Sequence, residues 1–241
     1  MRAVFKHELH SYFTTPVGYV FLAMYTLLTG VVYVFINISQ EMSASMNLTW
    51  SGMQLPFMLI APLLTMRLFA EERRMRTDQL LFTSPVRQSA IVAGKMGAAA
   101  TMLLLAMGMT LMYPLLISRW AQVSVAQVAT VCLGYYLLDL AMLSLGALIS
   151  SLCMNQITAA VITLGVNLFL YLCEHYILRQ MGAAYLAPVQ AVLKWLPSSA
   201  RLGDFANGVI SLSDVTYFLA FAALMMFLTC RVLERRRLAK G

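Results

Sequence analysis

From Ser11 to Gln40 the chain reads SYFTTPVGYVFLAMYTLLTGVVYVFINISQ, thirty residues without one formal charge. A bilayer core of about 30 Å takes roughly 20 apolar helical residues to cross, and Val17 to Ile38 alone supplies them. The pattern then recurs. Met42 to Met66 is uncharged, with its apolar part from Met53, and Met96 to Ser118, Val125 to Ser151, Ile157 to Cys173 and Val215 to Cys230 follow. Val125–Ser151 is interrupted by Asp139, and Met154-Asn155-Gln156 marks a tight polar turn after it. These runs predict an all-α integral membrane protein with six transmembrane helices. Composition agrees: 61% of the 241 residues are hydrophobic, only 11% are charged, and mean hydropathy is +0.77. A soluble domain carries about 25% charged residues to keep its surface wet, so an ordinary water-soluble globule is excluded. The net charge of +7 fits nucleic acid in a soluble protein, but bilayer-length runs decide for a membrane and against nucleic acid.

Cytoplasmic loops retain Lys and Arg. With the N-terminus inside, thirteen of the 17 basic residues fall on the inner side, leaving only Arg119, Arg179, Lys194 and Arg201 outside. Both termini are therefore expected in the cytoplasm. Arg2 and Lys6 resemble the charged region of a signal peptide, but the apolar run that follows exceeds the 7–15 residues of a cleaved signal. It reads as an uncleaved first span. Cys132, Cys153, Cys173 and Cys230 lie in or at the ends of apolar segments without metal-ligand spacing, and read as packing residues.

Three segments between the spans carry information. Residues 1–16 mix Val4, Phe5, Leu9, Tyr12 and Phe13 with Arg2, Lys6, Glu8 and His10, the pattern of an amphipathic helix lying in the inner interface. Thr15-Pro16 reads as the N-cap and first position of span one. Leu68 to Phe82 has helical propensity, and Thr83-Ser84-Pro85 stops it, because the residue before proline leaves the α region. A short charged helix over residues 70–85, between spans two and three, is the expected product. Glu72 and Arg76 stand at i,i+4, a pair contributing a few tenths of a kcal/mol, so reversing Glu72 is expected to leave insertion intact. A loop that only sets topology needs no paired acids, nor Leu80-Leu81-Phe82 on its exposed side; apolar residues rimmed by charge mark a partner surface. The third segment, residues 179–212, is apolar but broken by Pro188, Pro197, Gly203 and Gly208. Short re-entrant or interfacial helices are expected there.

No chemistry for catalysis is visible. Gly94-Lys95 has the ending of a phosphate loop, yet Ser89 stands at its first glycine and Met96 where Ser or Thr would meet magnesium. There is no HExxH or CxxC, and His7, His10 and His175 are scattered. Asp139 falls near mid-bilayer, where an ionised side chain on a lipid face is costly, so it must face protein or water. It is read as either a polar lining or proton site, or as a buried acid bonded to a neighbouring helix. Glu174-His175, at the outer end of span five, is either part of an exit path or an ordinary interfacial pair.

Pro62-Leu63-Leu64-Thr65-Met66-Arg67-Leu68-Phe69-Ala70-Glu71-Glu72-Arg73-Arg74, running on through Thr77-Asp78-Gln79-Leu80-Leu81-Phe82-Thr83-Ser84-Pro85-Val86 to Gly94-Lys95, resembles the signature of ABC-2-type transporter permeases. The resemblance is greatest to the gliding-motility and nitrous-oxide-reductase-maturation branch. Leu148-Ile149-Ser150-Ser151-Leu152 with Asn155-Gln156-Ile157 resembles the family's turn between spans four and five. Phe205-Ala206-Asn207-Gly208-Val209-Ile210 with Asp214 and Tyr217-Phe218 resembles its late outer segment. Met75-Arg76, in place of a small residue before the threonine, and Cys153-Met154 before Asn-Gln depart from the pattern. The resemblance implies a single permease domain over residues 1–241, in a bacterial inner membrane, that pairs with a second copy of itself and with two copies of a separate ABC ATPase. ATP and magnesium would be bound by that ATPase, with no cofactor in this chain. A periplasmic or accessory membrane protein is a further candidate partner. The 70–85 helix would be the coupling helix, with Glu71, Glu72, Arg73, Arg74, Thr77, Leu80 and Leu81 at the ATPase interface. Asp139, Glu174 and His175 would be candidate polar residues of the pathway.

Two other functions compete on sequence alone. One is a secondary transporter or channel using Asp139 without nucleotide, although no inverted repeat relates spans one to three with four to six. The other is a membrane anchor for a motility or maturation complex.

Overall fold

A computed structural model describes residues 2–38, 46–75, 87–118, 124–178 and 196–240. Among these residues there is no strand. Helix α1 (Arg2–Thr14) turns at Thr15 into α2 (Pro16–Tyr33), which continues as a π-turn over Val34–Ile38. Then come α3 (Met46–Arg74), α4 (Gln88–Thr110), α5 (Met112–Ile117) and α6 (Val125–Leu152). Helix α7 (Gln156–Leu172) also ends in a π-turn, Cys173–Leu178. A 3-10 turn, Ser199–Leu202, leads through the single turn α8 (Gly203–Ala206) into α9 (Leu212–Lys240). Among the described residues six helices are long and apolar enough to cross a membrane: Pro16–Asn37, Met46–Arg74, Gln88–Leu116, Val125–Leu152, Gln156–His175 and Leu212–Arg236. The chain is a multi-pass membrane protein.

Local chemistry explains the boundaries. Thr15 holds extended backbone (φ −104°, ψ 151°) ahead of Pro16 at the first helical position, where the missing N–H costs nothing. The pause at Leu111 between α4 and α5 follows from Pro114, which has no N–H to donate to the Thr110 carbonyl. The tight turn after span four forms at Cys153–Asn155, and Asn155 caps α7 by accepting from the Ile157 N–H (3.4 Å). Pro56 and Pro62 lie inside α3 without ending it, a tolerance membrane helices gain from their neighbours.

Helices α3, α4 and α6 form the buried centre, around Trp50, Phe57, Leu64, Met102, Leu103 and Leu143. Small residues let them approach: a Cβ added at Gly146 of α6 would stand 2.8 Å from the Thr65 side chain of α3 and 3.0 Å from Thr163 Cγ2 of α7. Helices α2, α7 and α9 are peripheral and turn Leu27, Val31, Phe35, Val161, Phe169 and Phe227 outward. Such exposed apolar belts belong against hydrocarbon. At the far end of the bundle, α8 packs Phe205 onto α6 at Gly134. The residues expected to form re-entrant helices lie partly outside the described ones (179–195); the remainder holds the two short turns above.

Residues 70–74 of the expected 70–85 helix are the last turn of α3, continuous with span two. Residues 76–86 lie outside the described residues.

Candidate functional site

One end of the bundle gathers most of the described charged side chains, and α1, the last turns of α3 and the start of α4 build it. Helix α1 lies along α4, where the backbone at Gly94 admits it: a Cβ there would stand 3.1 Å from Val4 and 3.2 Å from the Phe5 nitrogen. Beside this contact a cleft of about 540 Å³ opens between α1 and α3, lined by His7, Glu8, Arg67, Glu71, Glu72 and Lys95 among others.

Lys95 is the centre of this region. Its Nζ lies 2.7 Å from Glu8 Oε1 of α1 and 2.8 Å from Glu72 Oε1 of α3, and 5.5 Å from the centre of the Phe69 ring. The lysine side chain is 2% exposed, against 18% and 24% for its two partners. A cation this deep persists only when paired and hydrogen-bonded. Arg76, the expected i,i+4 neighbour of Glu72, lies outside the described residues; Glu72 pairs with a buried cation on another helix, so reversing it is not a surface change.

A second tie lies one turn away. Arg67 grips Glu71 with both Nε and Nη2 (2.5 and 3.1 Å), while its Nη1 donates to Thr15 Oγ1 at 2.9 Å. Thr15 can accept because its hydroxyl donates to the Ser11 carbonyl instead of capping α2. Tyr12 completes the set, its hydroxyl donating to the Leu64 carbonyl at 3.1 Å. Burial, and then the charge of Glu8, push the Tyr12 phenol above its usual range, so it stays a neutral donor.

On its other side α3 is fastened to α6. Ser150 Oγ accepts from the Phe69 and Ala70 amides (3.3 and 3.2 Å) and donates to the Met66 carbonyl (3.3 Å). Arg73 donates to the carbonyls of Leu152 and Cys153 (3.2 and 2.7 Å), and Arg236 of α9 also reaches Leu152 (3.1 Å). Two guanidinium groups therefore satisfy carbonyls that the end of a helix leaves open. Arg74 is exposed at the end of α3. Thr77, Leu80 and Leu81 lie outside the described residues.

The family model for ABC-2 family transporter proteins matches residues 3–237. The chain belongs to the ABC-2 transporter family. As an ABC-2 protein it is the membrane permease subunit of an ABC transporter, and such permeases work with an ABC ATPase subunit. Among individually curated proteins, none matches this ABC-2 permease.

The candidate pathway residues of the permease lie on two elements, Asp139 on α6 and Glu174 with His175 in the π-turn that ends α7. Asp139 is buried on α6 and faces the protein interior, making no hydrogen bond or ion pair with a described residue. Glu174 accepts a hydrogen bond from Ser199, and His175 stacks on Tyr171 with ring centres 5.8 Å apart, both at the far end of α7. Sequence reasoning missed the roles of Lys95, Glu8 and Arg67. The available signal was a cation about two turns inside a helix that begins at Gln88, which demands an anionic partner. It also missed Thr163 and Asn167, one turn apart on α7 and fully buried, and Gln54 on α3; none of the Asn167 amide atoms, Thr163 Oγ1 or Gln54 Nε2 has a hydrogen-bond partner among the described residues.

Proposed function

We propose that this permease takes the work of ATP hydrolysis from its ATPase subunit through residues 70–85 and uses it for substrate export or mechanical work across a bacterial inner membrane. The observation that carries this reading is the clamping of the last turns of α3. Immediately before residues 76–86, α3 is held by Lys95, by Thr15 and by Ser150. A segment that must pass a push into the bundle needs such a footing, whereas a loop that only sets topology does not. In this reading Glu71, Glu72, Arg73 and Arg74 orient the coupling element, Thr77 lies close to the contact, and Leu80 and Leu81 dock on the ATPase. The working unit contains two copies of the permease and two of the ATPase, and the permease falls in the gliding-motility and nitrous-oxide-reductase-maturation branch. The test is co-purification from cells expressing the intact chain: an ATP-binding subunit should elute with it, and Leu80→Asp or Leu81→Asp should remove that subunit while the permease still inserts. Retention of the ATPase and of coupled turnover in both variants would overturn the docking role.

The proposed topology places both termini and residues 70–95 in the cytoplasm and residues 179–212 outside, on the thirteen-to-four asymmetry of Lys and Arg. In a background without the four native cysteines, Arg76→Cys and Ser199→Cys should react with an impermeant maleimide from opposite sides. Labelling of Arg76→Cys in intact cells would reverse the orientation.

A further inference from the structure

We infer that Lys95 is a positioning residue that makes the N-terminal helix and the end of α3 move as one body, an inference that rests on the coupling role proposed for that end of α3. Helix α1 packs along α4, with Val4 and Phe5 against Gly94 and Phe5 against Gly97. Between α1 and the end of α3, however, there is a cleft of about 540 Å³. Apolar packing therefore does not fix their separation. What crosses the gap is polar, and Lys95 is its midpoint: rising from α4 beside Gly94, it holds Glu8 of α1 at 2.7 Å and Glu72 of α3 at 2.8 Å.

The energetics make the three groups a unit. With the lysine only 2% exposed, losing one carboxylate leaves a largely desolvated cation with half of its countercharge, and each lost pairing is felt strongly. If the end of α3 moved alone, Glu72 would leave Lys95 with one partner. If α1 moved alone, Glu8 would do the same. The Arg67 guanidinium, which also lines the cleft, is already held by Glu71 and Thr15. The lowest-energy displacement keeps all three together, so movement delivered to residues 70–74 carries α1 along the membrane with it.

The experiment reads the α1–α3 separation with nitroxide labels at His10→Cys and Met75→Cys, both exposed positions, in the full chain lacking native cysteines and reconstituted in lipid nanodiscs. The parent should give one narrow distance. Lys95→Met should broaden it several-fold in width. Because that variant leaves two facing carboxylates, the neutral triple Glu8→Gln, Glu72→Gln, Lys95→Met is the second arm; it keeps shape without charge, should elute as a single folded species, and should also broaden. The inverted triple Glu8→Lys, Lys95→Glu, Glu72→Lys should restore the narrow distance, which a role in packing alone does not explain. In complex with the co-purifying ATPase, a non-hydrolysable ATP analogue should leave the parent distance unchanged and shift it in the neutral triple. A narrow distance in the neutral triple, or a nucleotide-dependent shift in the parent, overturns the inference. Failure of the coupling reading looks different: no ATPase co-purifies, while the nucleotide-free distances still respond to Lys95.

Discussion

Glu72→Lys is expected to unfold the charged end of the bundle, lowering stability by about 3–5 kcal/mol, the range for leaving a buried charge uncompensated. For a chain of this size that corresponds to a fall in thermal midpoint on the order of 10 °C. The substitution sets a second cation against Lys95, whose side chain is 2% exposed and cannot turn to water. Glu8 then has to serve two lysines, at the edge of a cleft already holding Arg67. Glu72→Gln keeps a hydrogen-bond acceptor and leaves Glu8 in place, so its loss should be smaller, about 1–2 kcal/mol. Arg74→Glu, at an exposed position, should change little, as surface charges do. Thermal unfolding in detergent, followed by tryptophan fluorescence and by monodisperse elution, separates the three. If Glu72→Lys melted with Arg74→Glu, the Lys95 pairing would contribute nothing to the fold.

The contrast with the surface-pair reading of Glu72 shows where sequence stops being informative. The spans were legible because a helix that crosses hydrocarbon must exclude charge over about 20 residues, a constraint local to each run. The turns at Thr15-Pro16 and Asn155 were legible for the same reason: capping is settled within a few residues. The uncharged run of span three starts only at Met96, because the Lys95 cation ends an apolar window. In the folded chain α4 starts at Gln88, and the charge is cancelled by Glu8, 87 positions away, and by Glu72. No periodicity connects those positions. Arg73 likewise reads as topogenic until α6 ends beside it with open carbonyls at Leu152 and Cys153. Charge count gives the side of the membrane, while tertiary contact gives the role.

Gly146→Val should be the most damaging single change in the buried centre, and Gly146→Ala should already cost about 1–3 kcal/mol, the usual penalty for overpacking. In an isolated helix alanine would be favoured over glycine by about 1 kcal/mol, so a net loss must come from tertiary crowding. The crowding is specific. A Cβ at Gly146 falls 2.8 Å from both Oγ1 and Cγ2 of Thr65, and 3.0 Å from Cγ2 of Thr163. Both threonines are fully buried, and both are branched at Cβ, so neither has a flexible end to swing aside. Gly165→Ala on α7 supplies the control, since no described residue lies within 4 Å of a Cβ there; it should be neutral or slightly stabilising. Thr65→Ala removes both of the closest atoms, so Gly146→Ala combined with Thr65→Ala should recover most of the loss, and the cycle should show strong non-additivity. Additive effects in that cycle would mean that α3 and α6 do not meet at this point. The location gives the result a functional edge: Thr65 stands two residues before Arg67, so α3 passes its closest neighbour just inside the clamped end. If residues 70–85 couple to the ATPase as proposed, Gly146→Ala in the Thr65→Ala background should restore coupled ATP turnover together with stability.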